Sequence, residues 1–159
     1  MSGTAAAVAV GRKVPPFSLP STGGARWSLA DAAGSAVVLY FYPKDMTSGC
    51  TLESQRFRDL QPAFRRAGAQ IVGVSRDSVR SHERFRDKEH LPFVLLADED
   101  ETLCHLFAVL KEKTLYGRKH IGIERRTFLI DGKGVLRREW RKVKVDGHAE
   151  EVLEAAKSL

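Results

Sequence analysis

The chain has little of what would tie it to an oxidising compartment or a bilayer. Only two of its 159 residues are cysteine, too few for the disulfide framework of a secreted module. No apolar run approaches the roughly 18 residues needed to cross a membrane. The opening residues, MSGTAAAVAVGRKVPPF, lack the basic start and long apolar centre of an export leader. The expected location is therefore a reducing cytoplasm, where a cysteine is reactive or inert rather than bridged. Five histidines (His82, His90, His105, His120 and His148) show no paired spacing with cysteines or acids. No metal site, no phosphate-cradling glycine loop and no cofactor is expected. Acids are fewer than bases, giving a formal net charge of +6. The basic residues run from Arg12 to Lys157 and are interleaved with acids, as in SRDSVRSHERFRDKEH, so nucleic acid is not the expected partner. The densest basic run, Arg138–Val145, alternates charge with Trp140, Val143 and Val145, which suits a strand with one wet face.

What is present is ordinary globular material: 43% hydrophobic and 29% charged residues, enough for one core and one domain spanning residues 1–159. Val37–Tyr42 (VVLYFY) is a continuous apolar run between Gly34 and Pro43 and predicts a strand buried on both faces. From Ser48 to Ala67, Leu52, Phe57, Leu60 and Phe64 recur at helical spacing, with Ser48 as cap and Gly68 as stop. Gln70–Ser75 predicts a strand, and Val79–Lys88 a helix with Val79, His82 and Phe85 along one side. Phe93–Leu96 predicts a third strand, followed by a helix over Thr102–Phe107. Arg126–Ile130 and Val135–Trp140 flank the turn DGKG as a hairpin, and His148–Lys157 predicts a closing amphipathic helix. Pro15, Pro16, Phe17 and Trp27 read as packing of an N-terminal arm. Alternating strands and helices imply an α/β fold, with a mainly parallel sheet covered by helices and antiparallel strands added by the late hairpin.

Cys50 falls where the first buried strand gives way to a helix, the usual ligand-binding end of an open α/β sheet. In the first helical turn its sulfur meets unpaired N–H groups and the positive end of the helix dipole, which favour a thiolate. Thr47, three residues earlier, can point its hydroxyl into the same space. Pro43 fixes the turn and can shield the sulfur, and Gly49 lets backbone approach a small ligand. The plain alternative is an inert cysteine packed at a helix start, but such a cysteine has no use for Thr47, Ser48 and Gly49.

Pro43, Thr47 and Cys50, spaced as P-x-x-x-T-x-x-C, resemble the active-site signature of the peroxiredoxins. The fuller text FYPKDMTSGCTLE is similar to the bacterioferritin comigratory protein, or peroxiredoxin Q, branch. VPPFSLP, GVSRDS, LLADED, IERRTFLID and WRKVKVDGHAEEVL follow in the expected order, so the resemblance runs from Val14 to the C-terminus. It implies a thioredoxin-like fold with a central mixed sheet flanked by helices, and reduction of hydrogen peroxide and organic hydroperoxides. It implies that Cys50 is the peroxidatic nucleophile, passing through sulfenic acid. Thr47 and the N–H groups of Gly49 and Cys50 would hold the peroxide oxygens, and an arginine would steady thiolate and leaving oxygen. The family's R-x-[TS]-F pattern selects Arg125, and strand alternation then turns Arg126 the other way, as a solvated surface cation. Glu53, three residues past Cys50, would hold the arginine by a charge-assisted pair. Alternatively it is a plain first-turn acid.

The resemblance also implies what is missing. The two positions where many relatives carry a resolving cysteine are Gln55 and Arg86 here. Cys50 then works alone with an external thiol such as thioredoxin or glutaredoxin, or Cys104 resolves it, or a bridge forms between chains. Resolution by Cys104 would require its Cα within about 7 Å of that of Cys50. Cys104 otherwise reads as a small core residue beside Leu103, Leu106 and Phe107. Branch membership implies a monomer. A peroxide sensor or holdase-type interaction protein on the same fold is the second reading. A thioredoxin-type reductase is excluded because Cys50 is followed by Thr51, Leu52 and Glu53 rather than by C-x-x-C.

Overall fold

The computed structural model describes residues 8–159. Part of the stretch read as lacking an export leader, residues 1–7, lies outside the described residues. Two short strands, β1 (Ser18–Ser21) and β2 (Ala25–Ser28), form a hairpin that sequence periodicity did not separate from a packed arm. Trp27 is buried there, with Phe17 bridging it to Phe107. The apolar run becomes β3 (Ala36–Phe41), buried at every position. It leads through a six-residue loop into α1 (Ser48–Arg66). Strand β4 (Ala69–Ser75), helix α2 (Val79–Glu89) and strand β5 (Val94–Ala97) follow within one or two residues of their predicted bounds. Helix α3 (Thr102–Leu106) is a short turn. It precedes a separate antiparallel pair, β6 (Leu110–Leu115) and β7 (Arg118–Ile123). The chain ends with β8 (Arg126–Ile130), β9 (Leu136–Trp140) and α4 (His148–Lys157). The basic run after Trp140 leaves the sheet instead of continuing the strand.

The seven-stranded sheet has the order β2-β1-β5-β4-β3-β8-β9. Only the central pairings β3/β4 and β4/β5 are parallel. The sheet is mixed, as the resemblance implied, and not mainly parallel as strand–helix alternation alone suggested, because the N-terminal hairpin joins β5 antiparallel and β8 joins β3 antiparallel. No described helix is long and apolar enough to cross a membrane.

Alternation along β3 sorts the core into two halves. Val37, Leu39 and Phe41 point to one face, among Leu103, Cys104, Phe107 and Phe128. Val38, Tyr40 and Tyr42 point to the other, among Cys50, Phe57, Phe85 and Val152 from the three longer helices. On the first face Phe107 stacks against Phe128 at 4.7 Å and Phe41 at 5.3 Å. It is 1% exposed, at the C-terminal end of α3. Replacing Phe107 by Ala is expected to lower unfolding free energy by about 3–5 kcal/mol, read by urea denaturation.

Candidate active site

The loop after β3 is held by side chains of the loop itself and of α2. Tyr42 donates its hydroxyl to Asp45 (2.6 Å), and Thr47 donates its own to the Lys44 carbonyl (2.8 Å). Thr47, not Ser48, occupies the N-cap, with extended backbone and no side-chain cap bond. The helical ladder begins with the Thr51 N–H donating to the Thr47 carbonyl (2.9 Å). The N–H groups of Ser48, Gly49 and Cys50 precede it, as unfilled first-turn donors must. Cys50 lies in this turn and is 1% exposed.

Arg125, in the short link between β7 and β8, reaches this turn from across the sheet. Its Nη2 lies 3.4 Å from Cys50 Sγ and its Nη1 lies 2.6 Å from Glu53 Oε1. Its main chain is pinned, since its carbonyl accepts from the Val143 N–H at 3.0 Å. Gly49 has its reason in the same contact. A Cβ there would stand 3.2 Å from Arg125 Nη2, so a side chain would push the guanidinium away. The close approach anticipated for a ligand is made by the arginine.

Glu53 is 1% exposed, and its Oε2 finds no partner among the described residues. Burial pushes its pKa up to about 7, although the Arg125 charge and hydrogen bond pull the other way. Burial likewise opposes the Arg125 charge, but Glu53 and the Cys50 sulfur outweigh it and raise its pKa. The pair therefore differs from the surface acid of the plain alternative reading. It is a buried contact formed at a cost in desolvation.

Arg126 corrects an expectation. It does face away from Arg125, but it is 3% exposed and pairs with Glu124 at 2.7 Å instead of sitting in solvent. Its neighbours on that face are core side chains, so its charge needs this partner.

Cys50, Glu53, Gly49 and Arg125 are thus brought together. Thr47 adjoins them with its hydroxyl proton committed to Lys44, and Pro43 lies exposed at the start of the loop. Cys104 is not brought to them. It belongs to the opposite core half, with β3 and β8 between the two sulfurs. Its N–H donates to Asp98 Oδ2 at 2.7 Å. Burial and the Asp98 carboxylate push its thiol pKa up steeply, which keeps it protonated. In the folded chain Cys104 packs in the core beside Leu103 and Phe107, away from the Cys50 cluster.

Sequence reading missed a buried network of Asp45, Asp77, Ser81 and His82. Its one visible signal was His82 sharing a helix face with Phe85. It also missed His148, whose Nε2 lies 2.7 Å from Thr127 Oγ1 and whose pKa burial lowers to about 4.

A family model described as the AhpC/TSA family matches residues 10–139. The chain is 51% identical to the peroxiredoxin Bcp of Xanthomonas campestris pv. campestris, over 89% of this chain and 90% of that one. It is 46% identical to the peroxiredoxin Bcp of Bacillus subtilis, over 96% and 97%. Among solved structures, the Xanthomonas campestris peroxiredoxin Q superposes with a TM-score of 0.86 at 51% identity, covering 89% and 90%. A Cys-to-Ser mutant of the Xylella fastidiosa PrxQ gives a TM-score of 0.91 at 42% identity, covering 97% and 98%. The Xanthomonas bacterioferritin comigratory protein has been studied structurally for alkyl peroxide reduction. A match across most of the chain, with relatives at these identities, gives the assignment: the chain belongs to the AhpC/TSA family as a peroxiredoxin of the Bcp type, a thiol-dependent peroxidase.

Proposed function

We propose that Cys50 is the peroxidatic nucleophile for hydrogen peroxide and small organic hydroperoxides, with Arg125 as its electrostatic partner. The observation that carries this reading is the Arg125 guanidinium, shared between Cys50 Sγ and Glu53. The thiolate attacks the terminal peroxide oxygen, forming an S–O bond as the O–O bond breaks. Cys50 becomes sulfenic acid, and the departing oxide takes a proton from solvent to leave as water or alcohol. Charge moves from sulfur to the leaving oxygen. A fixed guanidinium beside both, with unfilled N–H groups at Gly49 and Cys50, stabilises that movement without reorganising. Thr47 gives its proton to Lys44, so its oxygen faces the peroxide as an acceptor for the peroxide O–H. Pro43 closes the rim of the loop and limits water at the sulfur. Glu53 sets the side-chain position of Arg125.

Two equivalents of an external thiol then return sulfenic acid to thiol, releasing water and a disulfide of the reductant. The separation of Cys104 from Cys50 supports this route. Thioredoxin or glutaredoxin fits as reductant, with the protein acting as a monomer in the cytoplasm and requiring no metal, nucleic acid or membrane. A sensor or holdase would be oxidised once without turning over.

Cys50→Ser is expected to abolish peroxide-dependent consumption of a thioredoxin system or dithiothreitol, while Cys104→Ser keeps it within about twofold. After one equivalent of peroxide, intact mass should show one added oxygen in both the wild type and Cys104→Ser. Loss of two hydrogens in the wild type alone would make Cys104 the resolving residue. Arg125→Ala should slow Cys50 oxidation about 100-fold or more, measured by stopped flow.

Glu53 generates a stability prediction. Its folded pKa, about 7, lies above the ordinary carboxylate value of 4.5. Stability from this group is complete below the ordinary value and is lost as pH rises through about 7. The stability of wild type relative to Glu53→Gln should therefore fall between about pH 5 and pH 8, by up to roughly 3 kcal/mol. Urea titrations across that range measure it.

A further inference from the structure

The Cys50 loop is anchored at one residue by a buried polar network with no part in the chemistry above. Asp45 is 3% exposed and His82, on α2, is 0% exposed. His82 Nε2 lies 2.9 Å from the Leu96 carbonyl, and Nδ1 lies 2.8 Å from Asp45 Oδ2. A carbonyl only accepts, so Nε2 must carry a proton. Asp45 receives a further hydrogen bond from Tyr42 at Oδ1, and from Ser81 at Oδ2 (2.8 Å). One proton lies between Asp45 Oδ2 and His82 Nδ1 and ties the two side chains together.

Asp45, Asp77 and His82 have the residue types and proximity of a cation site, with one ligand atom each within 4.8 Å of the others. Their atoms are already used. Asp77 Oδ2 accepts from the Asp45 N–H (2.9 Å) and from the Ser75 hydroxyl. The Nδ1 that a metal would need is taken up by the hydrogen bond to Asp45. The cluster is an internal network of hydrogen bonds.

Its position gives it a task. Asp45 directly precedes Met46, a non-glycine residue held at φ +67° and 44% exposed. Such a backbone persists only where the surroundings over-determine it. The side chain of Met46 is exposed, so the restraint comes through Asp45 on one side and the Thr47 cap on the other. Thr47 and the first-turn N–H groups follow at once. We infer that Asp45 and His82 form a buried hydrogen-bonded pair that positions the Cys50 loop for reaction with peroxide, acting as positioning residues. The inference rests on Cys50 being the nucleophile, and its test separates the two.

With histidine labelled by 15N, a downfield proton resonance shared between His82 Nδ1 and Asp45 and protected from exchange is expected, and its absence would overturn the pairing. Each variant is then compared in two reactions of the same sulfur: oxidation by hydrogen peroxide, which needs aligned Thr47 and N–H groups, and alkylation by iodoacetamide, which needs only a reactive thiol. In His82→Gln, which keeps the Leu96 bond, and in Asp45→Asn, peroxide oxidation should fall about tenfold to a hundredfold, with alkylation within about threefold of wild type. His82→Asn, which keeps a donor toward Asp45, should recover most of the rate. Tyr42→Phe removes one donor to the carboxylate while leaving its volume nearly intact, and serves where the others fold poorly. An unchanged peroxide rate in folded variants, or an equal fall of both reactions, would overturn the positioning role. A Cys50 that alkylates while peroxide turnover persists in Cys50→Ser would instead overturn the nucleophile assignment.

Discussion

A sulfur with 1% exposure has almost no water to stabilise negative charge, and the protein must supply what solvent does not. Here the supply is the Arg125 guanidinium, 3.4 Å from Sγ. That guanidinium in turn needs a partner, because burial opposes its charge, and Glu53 provides one at 2.6 Å. Glu53 has no comparable compensation. One of its oxygens is unpaired, and burial raises its pKa despite the arginine. The arrangement concentrates desolvation cost on a residue that need not touch substrate, leaving the guanidinium free to face the sulfur. Buried pairs of this kind rarely add stability, and this one is understood through what it orients.

Cys50 and Cys104 occupy opposite core halves because successive residues of β3 and β8 face opposite ways. The two thiols also differ chemically. Cys50 has a cation beside it, whereas Cys104 has the Asp98 carboxylate, which raises its pKa together with burial. The same residue type is thereby set up for reaction on one face and for inert packing on the other.

Much of this was legible along the chain, for reasons that are local. VVLYFY has to be a doubly buried strand, and Ser48–Gly68 carries a helical stripe with a glycine stop. Alternation separates Arg125 from Arg126, and the resemblance to the family's R-x-[TS]-F pattern chose between them. What escaped reading depends on contacts distant in sequence. Lys111, Lys113, Arg118 and Lys119 gave the β6/β7 pair no apolar stripe, since it stands apart from the main sheet. Arg126 looked like a surface cation because its burial depends on Glu124 turning with it to the other face. Asp45 and His82 are 37 positions apart. Each alone is unremarkable, a loop acid and a core histidine, and only their meeting shows that the loop is tied down.

The anchoring of the Cys50 segment is uneven, and the unevenness follows its chemistry. At the loop, Asp45 and His82 are buried, where leaving one polar partner unpaired costs about 1–3 kcal/mol. Further along α1, the ties to α2 are Gln55 donating to Glu89 Oε1 (2.8 Å) and Arg58 donating to the Glu89 carbonyl (2.8 Å). These are partly exposed bonds worth about 1 kcal/mol each. Gln55 and Arg86 stand at the two positions where the resemblance led one to look for a resolving cysteine, and Arg86 pairs with Asp87 beside it. In this chain those two places make polar surface contacts rather than redox ones. The strong restraint thus lies before Cys50 and the weak ones lie after it, so the chemistry proposed for Cys50 would meet a fixed loop on one side and a more loosely tied helix on the other.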